Sequence, residues 1–273
     1  MRDTVTEKYD IIILAGQSNA VGQGIGAVTR EFVPDKRIHF MKDDANPKFV
    51  TENGVTRLVM KWPATNSICV ADERITENGK TGCFALQFAE QYAQTYLSKD
   101  RKVLIVNANF GGTGFARPEW GIGNPMHTRM IAMTNEALAG NPENRVVAIL
   151  WDQGEHDAFE NADWDHDRRY ATHKKNLTAT FADLYEKIGD QSVPLIACGF
   201  TDAFCHTLPE ATDAVLRAIR EVIADFGGSF VQTHGLATNS EAVPDSKDIY
   251  HFSRESLHIL GQMVFEKYRQ MRK

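Results

Sequence analysis

Apolar residues arrive along this chain in short unbroken runs rather than in alternation. Tyr9-Asp-Ile-Ile-Ile-Leu-Ala15 is the first, and 102–107, 145–151, 193–198 and 229–233 follow. Near-continuous runs rich in β-branched residues predict parallel strands covered on both faces. Helix-like segments separate them at 83–97, 126–139, 168–188, 209–226 and 253–269. In the fourth, Ala214, Leu216, Ala218, Ile219, Val222 and Ile223 recur at helical spacing, with Arg217, Arg220 and Glu221 off the stripe. Strands alternating with helices give a parallel sheet wrapped by helices, and right-handed crossovers make that a three-layer α/β/α sandwich.

Residues 30–81 break the rhythm with Pro34, Pro47, Asn53-Gly54, Pro63 and Asn78-Gly79. This stretch reads as an irregular insertion carrying a hairpin or two, inside a single domain that spans 1–273.

Composition narrows the function classes. Hydrophobic residues at 42% and charged residues at 24% describe a folded chain, not a disordered one. A chain of this mass buries about 73% of its unfolded surface, enough for a core without disulfide or metal staples. Thirty basic against thirty-six acidic residues leave a net charge of −6, which argues against a nucleic-acid partner and for a neutral or weakly charged substrate. The run Ile11–Ala15, preceded by Glu7, Lys8 and Asp10, is too short for a signal peptide or membrane span, so no membrane partner is expected. Cys69, Cys83, Cys198 and Cys205 show neither CxxC pairing nor zinc spacing, which points to a reducing, cytoplasmic setting.

Candidate chemistry collects where strands end. Gly16-Gln17-Ser18-Asn19 closes the first run, and the carboxyl edge of an open α/β sheet is where ligands bind. Ser18 there is a nucleophile with backbone donors nearby, or only a helix cap. The turn Gly111-Gly112-Thr113 follows the second run and brings N–H groups close to a ligand, or is merely a mobile turn. Trp151-Asp-Gln-Gly-Glu-His-Asp157 follows the third and concentrates an amide, carboxylates and an imidazole. Asp248-Ile-Tyr-His251 precedes the last helix, and an Asp three residues ahead of a His supplies a base with its orienting acid. The acidic stretch 158–173, with Asp163, Asp165, His166, Asp167 and His173, matches neither zinc nor calcium spacing and reads as a solvated turn. No metal and no cofactor is expected. Gly22-Gln-Gly-Ile-Gly26 lies too far past the first strand for a dinucleotide turn.

Taken in order, Gly16-Gln17-Ser18-Asn19, Gly111-Gly112-Thr113, Gln153-Gly154-Glu155 and Asp248…His251-Phe252 resemble the SGNH hydrolases. Within them the chain is similar to the carbohydrate esterase family six and sialic acid O-acetylesterase-like branch, and Cys83-Phe-Ala-Leu extends the resemblance. The resemblance implies a flavodoxin-like sheet and a serine esterase that removes O-acetyl groups from a small carbohydrate. Ser18 is then the nucleophile and His251 the base. Either Asp248 or Glu155 orients the base, with Asp248 favoured and Asp157 structural. The Ser18 and Gly112 N–H groups with the Gln153 side chain form the oxyanion hole, and Gln17, Asn19 and Trp120 are expected at the substrate. Asp152, where the family carries an aromatic or His, and His156, where it carries a small or polar residue, are departures that bear on substrate identity.

Two other classes stay open: a non-catalytic sugar-binding protein of the same fold, and a lipase- or thioesterase-like hydrolase. The first would not accelerate 4-nitrophenyl acetate hydrolysis, and the second wants a long apolar groove. A cytoplasmic location implies short acetylated saccharides, with kcat/KM flat beyond the first few sugar units. The sugar, the hydroxyl and the oligomeric state are not legible in the sequence.

Overall fold

The computed structural model describes residues 7–77 and 79–272. Asn78 of the expected 78–79 turn lies outside the described residues, as do both ends of the expected 1–273 domain. Strand β1 (Tyr9–Gly16) runs into the one-turn helix α1 (Ser18–Val21). Next come β2 (Ile38–Asp43), the hairpin of β3 (Lys48–Glu52) and β4 (Val55–Val59), β5 (Asn66–Val70), and the hairpin of β6 (Arg74–Thr76) and β7 (Gly79–Thr81). Thereafter helices and strands alternate: α2 (Phe84–Thr95), β8 (Lys102–Asn109), α3 (Pro125–Ala139), β9 (Arg145–Asp152), α4 (Glu155–Phe159) and α5 (His166–Ile188). The chain finishes with β10 (Leu195–Cys198), α6 (Asp202–Thr207), α7 (Pro209–Asp225), β11 (Ser229–Val231), α8 (Asn239–Ala242) and α9 (Arg254–Met271).

The central sheet has the order β11-β10-β9-β1-β8-β2-β5. The five apolar runs read from the sequence are its contiguous strands β11, β10, β9, β1 and β8, all parallel. Counted in chain order they stand 2-1-3-4-5, the flavodoxin-like arrangement, whose switch point falls between β1 and β9.

Period two along β1 divides the core. Ile11, Ile13 and Ala15 pack with Met130, Leu177, Phe181 and Ile219 on the face of α3, α5 and α7. Ile12 and Leu14 pack with Phe84, Phe88, Leu257 and Val264 on the face of α2 and α9. Every residue of β1 is buried, which is why the run lacks alternation.

The insertion contributes more than hairpins. Besides the pairs β3–β4 and β6–β7, it adds β2 parallel to β8 and β5 antiparallel to β2, extending the sheet at one edge. Among the described residues, no helix is long and apolar enough to cross a membrane.

Candidate active site

At the switch point the chain leaves β1 through Gly16, which pairs with Asp152 of β9. Its φ is +151°, and a β-carbon there would lie 2.0 Å from the Asp152 carbonyl oxygen, so glycine alone fits. Gln17 N–H then donates to that carbonyl at 2.8 Å, and Ser18 opens α1. Gln17 occupies the N-cap position, and no side chain caps the helix. The Ser18 hydroxyl and backbone N–H make no hydrogen bond among the described residues. A capping role for Ser18 is thereby ruled out.

A cavity of about 430 Å³ opens over this turn. Of the residues singled out from the sequence, Gln17, Ser18, Gly112, Glu155 and His251 line it. Gly112 has φ +70°, and its N–H also has no acceptor among the described residues. Arg117 fixes this turn by donating from Nη2 to the Gly112 carbonyl at 2.7 Å, while its guanidinium lies 4.7 Å from the Phe49 ring centre. Phe49, from β3, and Phe110, Phe159 and Gln23 also line the cavity and were not anticipated. Phe49 reaches the site from the insertion, more than sixty residues before the Gly112 turn it packs beside, and nothing local announces it.

His251 Nδ1 lies 2.6 Å from Asp248 Oδ2. Asp248 also accepts from Asn239 Nδ2 at 2.9 Å and from the backbone N–H groups of Tyr250 and His251 at 3.1 Å. Burial pushes the Asp248 carboxyl up, but the His251 contact, the His251 charge and these donors outweigh it and bring the pKa to about 2. A fully engaged carboxylate on Nδ1 puts the neutral ring's proton there and leaves Nε2 as the basic nitrogen.

Glu155 is the other candidate acid, and it is not bonded to His251. Its Oε1 accepts from Asn19 Nδ2 at 2.8 Å, and its buried Oε2 has no partner among the described residues. Asn19 is fully buried; besides Glu155 it binds the Tyr250 carbonyl and the Phe252 N–H, so it braces the site from beneath and does not meet substrate as expected. Trp120 is also corrected. It has no exposed surface, donates from Nε1 to Thr113 Oγ1 at 2.9 Å and packs edge-on against Trp151, so its ring belongs to the core.

The Gln153 amide has a task other than the oxyanion hole. Its Nε2 donates to the Thr113 carbonyl at 3.2 Å and to Asp157 Oδ2 at 2.8 Å, which spends both protons. Asp157 is a hub: it also accepts the N–H groups of Phe115 and Ala116 and faces His173 Nδ1 at 3.0 Å. Gln153 and Asp157 together hold the glycine turn against the end of β9.

The two departures from the family pattern lie close by. His156 lines the cavity, donates its N–H to Gln17 Oε1, and stands 3.0 Å from Glu160 Oε1. Burial and the Arg117 charge keep its imidazole below the ordinary value, against the pull of Glu160 and Asp157. Asp152 is fully buried, and neither of its carboxyl oxygens has a partner among the described residues. Burial first, then the Glu155 charge, pushes its pKa well above the ordinary value. Burial likewise raises Glu155.

The flavodoxin-like sandwich carries a carboxylic ester hydrolase, as its family shows. The family model for carbohydrate esterases described as sialic acid-specific acetylesterases matches residues 8–270, and the chain belongs to this family, whose chemistry is O-deacetylation. Among solved structures, NanS is 19% identical over 97% of this chain and 98% of its own, with a TM-score of 0.71. A protein from Arabidopsis thaliana is 18% identical over 97% and 98%, with a TM-score of 0.63. A carbohydrate acetylesterase from Xanthomonas citri is 13% identical over 96% of this chain and 56% of its own, with a TM-score of 0.58. These similarities are to the fold. Among curated proteins, none matches the chain.

Proposed function

We propose that the protein is a serine esterase that removes O-acetyl groups from a short carbohydrate through an acetyl-enzyme intermediate. The observation that carries this reading is the Asp248–His251 pair at 2.6 Å, whose His251 lines the same cavity as Ser18, a serine whose hydroxyl makes no hydrogen bond among the described residues. Ser18 Oγ attacks the acetyl carbonyl carbon while its proton passes to His251 Nε2. The oxyanion is met by the free N–H groups of Ser18 and Gly112; Gln153 is left out because its amide protons are engaged. The intermediate collapses, the sugar oxygen leaves with the proton from His251, and the acetyl group stays on Ser18. Water then attacks the acyl carbon, giving one proton to His251; acetic acid departs as that proton returns to Ser18 Oγ, and ionises to acetate by losing its own proton to solvent.

Xylo-oligosaccharide acetates and O-acetylated sialic acid are the substrate classes to test first, the second on the strength of the family's description. The four cysteines are free in the structure, which supports a reducing compartment such as the cytoplasm. Acetate release from these esters, with mass-spectrometric location of an organophosphonate label, tests the reading. A label on Ser18 supports it, and a label on any other residue overturns the assignment.

A further inference from the structure

A second cavity adjoins the one over Ser18. Phe159, 41% exposed, lines both, and the second has a volume of about 410 Å³ between the start of α5 and the start of α7. Pockets for small molecules run from roughly 300 to 1,000 Å³, so this one is large enough for a ligand unit of its own. The Phe159 ring is held in place: Phe204 stacks on it at 4.9 Å and Tyr250 meets it edge-on at 4.8 Å.

Trp164 lines the second cavity from the segment that reads in sequence as a solvated acidic turn. The Arg168 guanidinium, which does not line the cavity, lies 4.5 Å from the indole and braces it from outside. Arg169 holds the intervening loop by donating to the Glu160 and Asn161 carbonyls at 2.7 and 3.0 Å, and to that of Asp157. Phe159 at the end of α4 and Trp164 on the braced loop therefore flank a space that shares the Phe159 ring with the cavity over Ser18. Around them stand the carboxylates of Asp165 and Glu210 and the imidazole of His166.

We infer that this second cavity is a subsite for a sugar ring adjoining the one that carries the acetyl ester. Aromatic faces suit the C–H face of a pyranose, and the lining carboxylates and the Arg169 guanidinium suit its hydroxyls as acceptors and donor. The inference rests on the esterase reading of the first cavity, and it supplies a structural reason for a substrate of at least two units.

The test compares acetate release from one monoacetylated neutral monosaccharide with release from the same monoacetate in a disaccharide, trisaccharide and tetrasaccharide. The expected result is a rise in kcat/KM of about tenfold, equivalent to ~1.4 kcal/mol, from one unit to two, then a plateau. Trp164→Ala should remove most of that step, and Trp164→Phe should keep part of it. Equal kcat/KM for one and two units in the wild type, or a full step in Trp164→Ala, overturns the subsite. Binding is measured separately on Ser18→Ala with the deacetylated disaccharide. The indole N–H signal identified by its loss in Trp164→Phe should shift on titration. No shift overturns the subsite even if ester hydrolysis is found, whereas a shift without any hydrolysis upholds the subsite and refutes the esterase reading.

Discussion

Asp248 and Glu155 both approach His251, but only Asp248 bonds to it, at 2.6 Å, while Glu155 is taken by Asn19 at 2.8 Å. The two carboxylates are thereby ranked. Asp248→Asn should cut kcat/KM on the order of 10⁴-fold, as loss of the orienting acid does in a serine protease. Glu155→Gln should cost far less, because the amide can still meet Asn19. Steady-state rates on a soluble acetyl ester check this, and the reverse order would move the orienting role to Glu155.

Ser18→Ala should abolish ester hydrolysis and leave thermal stability within a degree or two. Ser18 is buried, but its hydroxyl makes no hydrogen bond among the described residues, so its removal leaves no polar partner unsatisfied. Residual turnover above a few per cent of wild type would remove Ser18 from the reaction.

Asp152 carries a pH signature. Its folded pKa lies above the unfolded value, so the folded state holds a proton that the unfolded chain releases. Stability from this group is therefore present below the unfolded value of about 3.9 and falls as pH rises above it. Glu155 and the Cys198 thiol, itself raised by burial and by these two carboxyls, are the titratable neighbours and share the direction. Asp152→Asn should raise the melting temperature at pH 8 more than at pH 4. Parallel stability curves for the two proteins from pH 4 to 8 would mean that folding does not raise the Asp152 pKa.

Trp120→Ala should destabilise the protein by about 3–5 kcal/mol, the usual cost of deleting a buried aromatic. Urea unfolding measures it. A fully stable variant with a raised KM would instead return Trp120 to the substrate.

Much of the fold was legible because burial on both faces leaves a plain mark, and Ile11–Leu14 carry it. Strand β5 left none. All but one of its residues are exposed, and it is a strand only because β2 offers it an edge. Cavity-lining residues were legible where they sit beside a strand end, as at Ser18 and Gly112. It was not legible where a polar group is consumed by a distant partner. Gln153 looks like a free donor until Asp157 and Thr113 take its protons. Trp120 sits in a glycine-rich segment that sequence reads as open, but the chain folds it inward onto Trp151.

The ion cluster around Arg254 gives the insertion a different standing. Arg254, three residues after His251, is bound by Glu73 and Glu31 from the insertion, and His258 reaches the same Glu73 at 2.6 Å. All of Arg254, Glu73 and His258 are buried. Excising residues 30–81 would leave the Arg254 guanidinium and the His258 imidazole without their carboxylate partners, at the head of the helix that follows His251. Buried charges that lose a partner typically cost several kcal/mol. The insertion is thus a keystone and not an ornament: any graft of this scaffold must carry both acids along with His251.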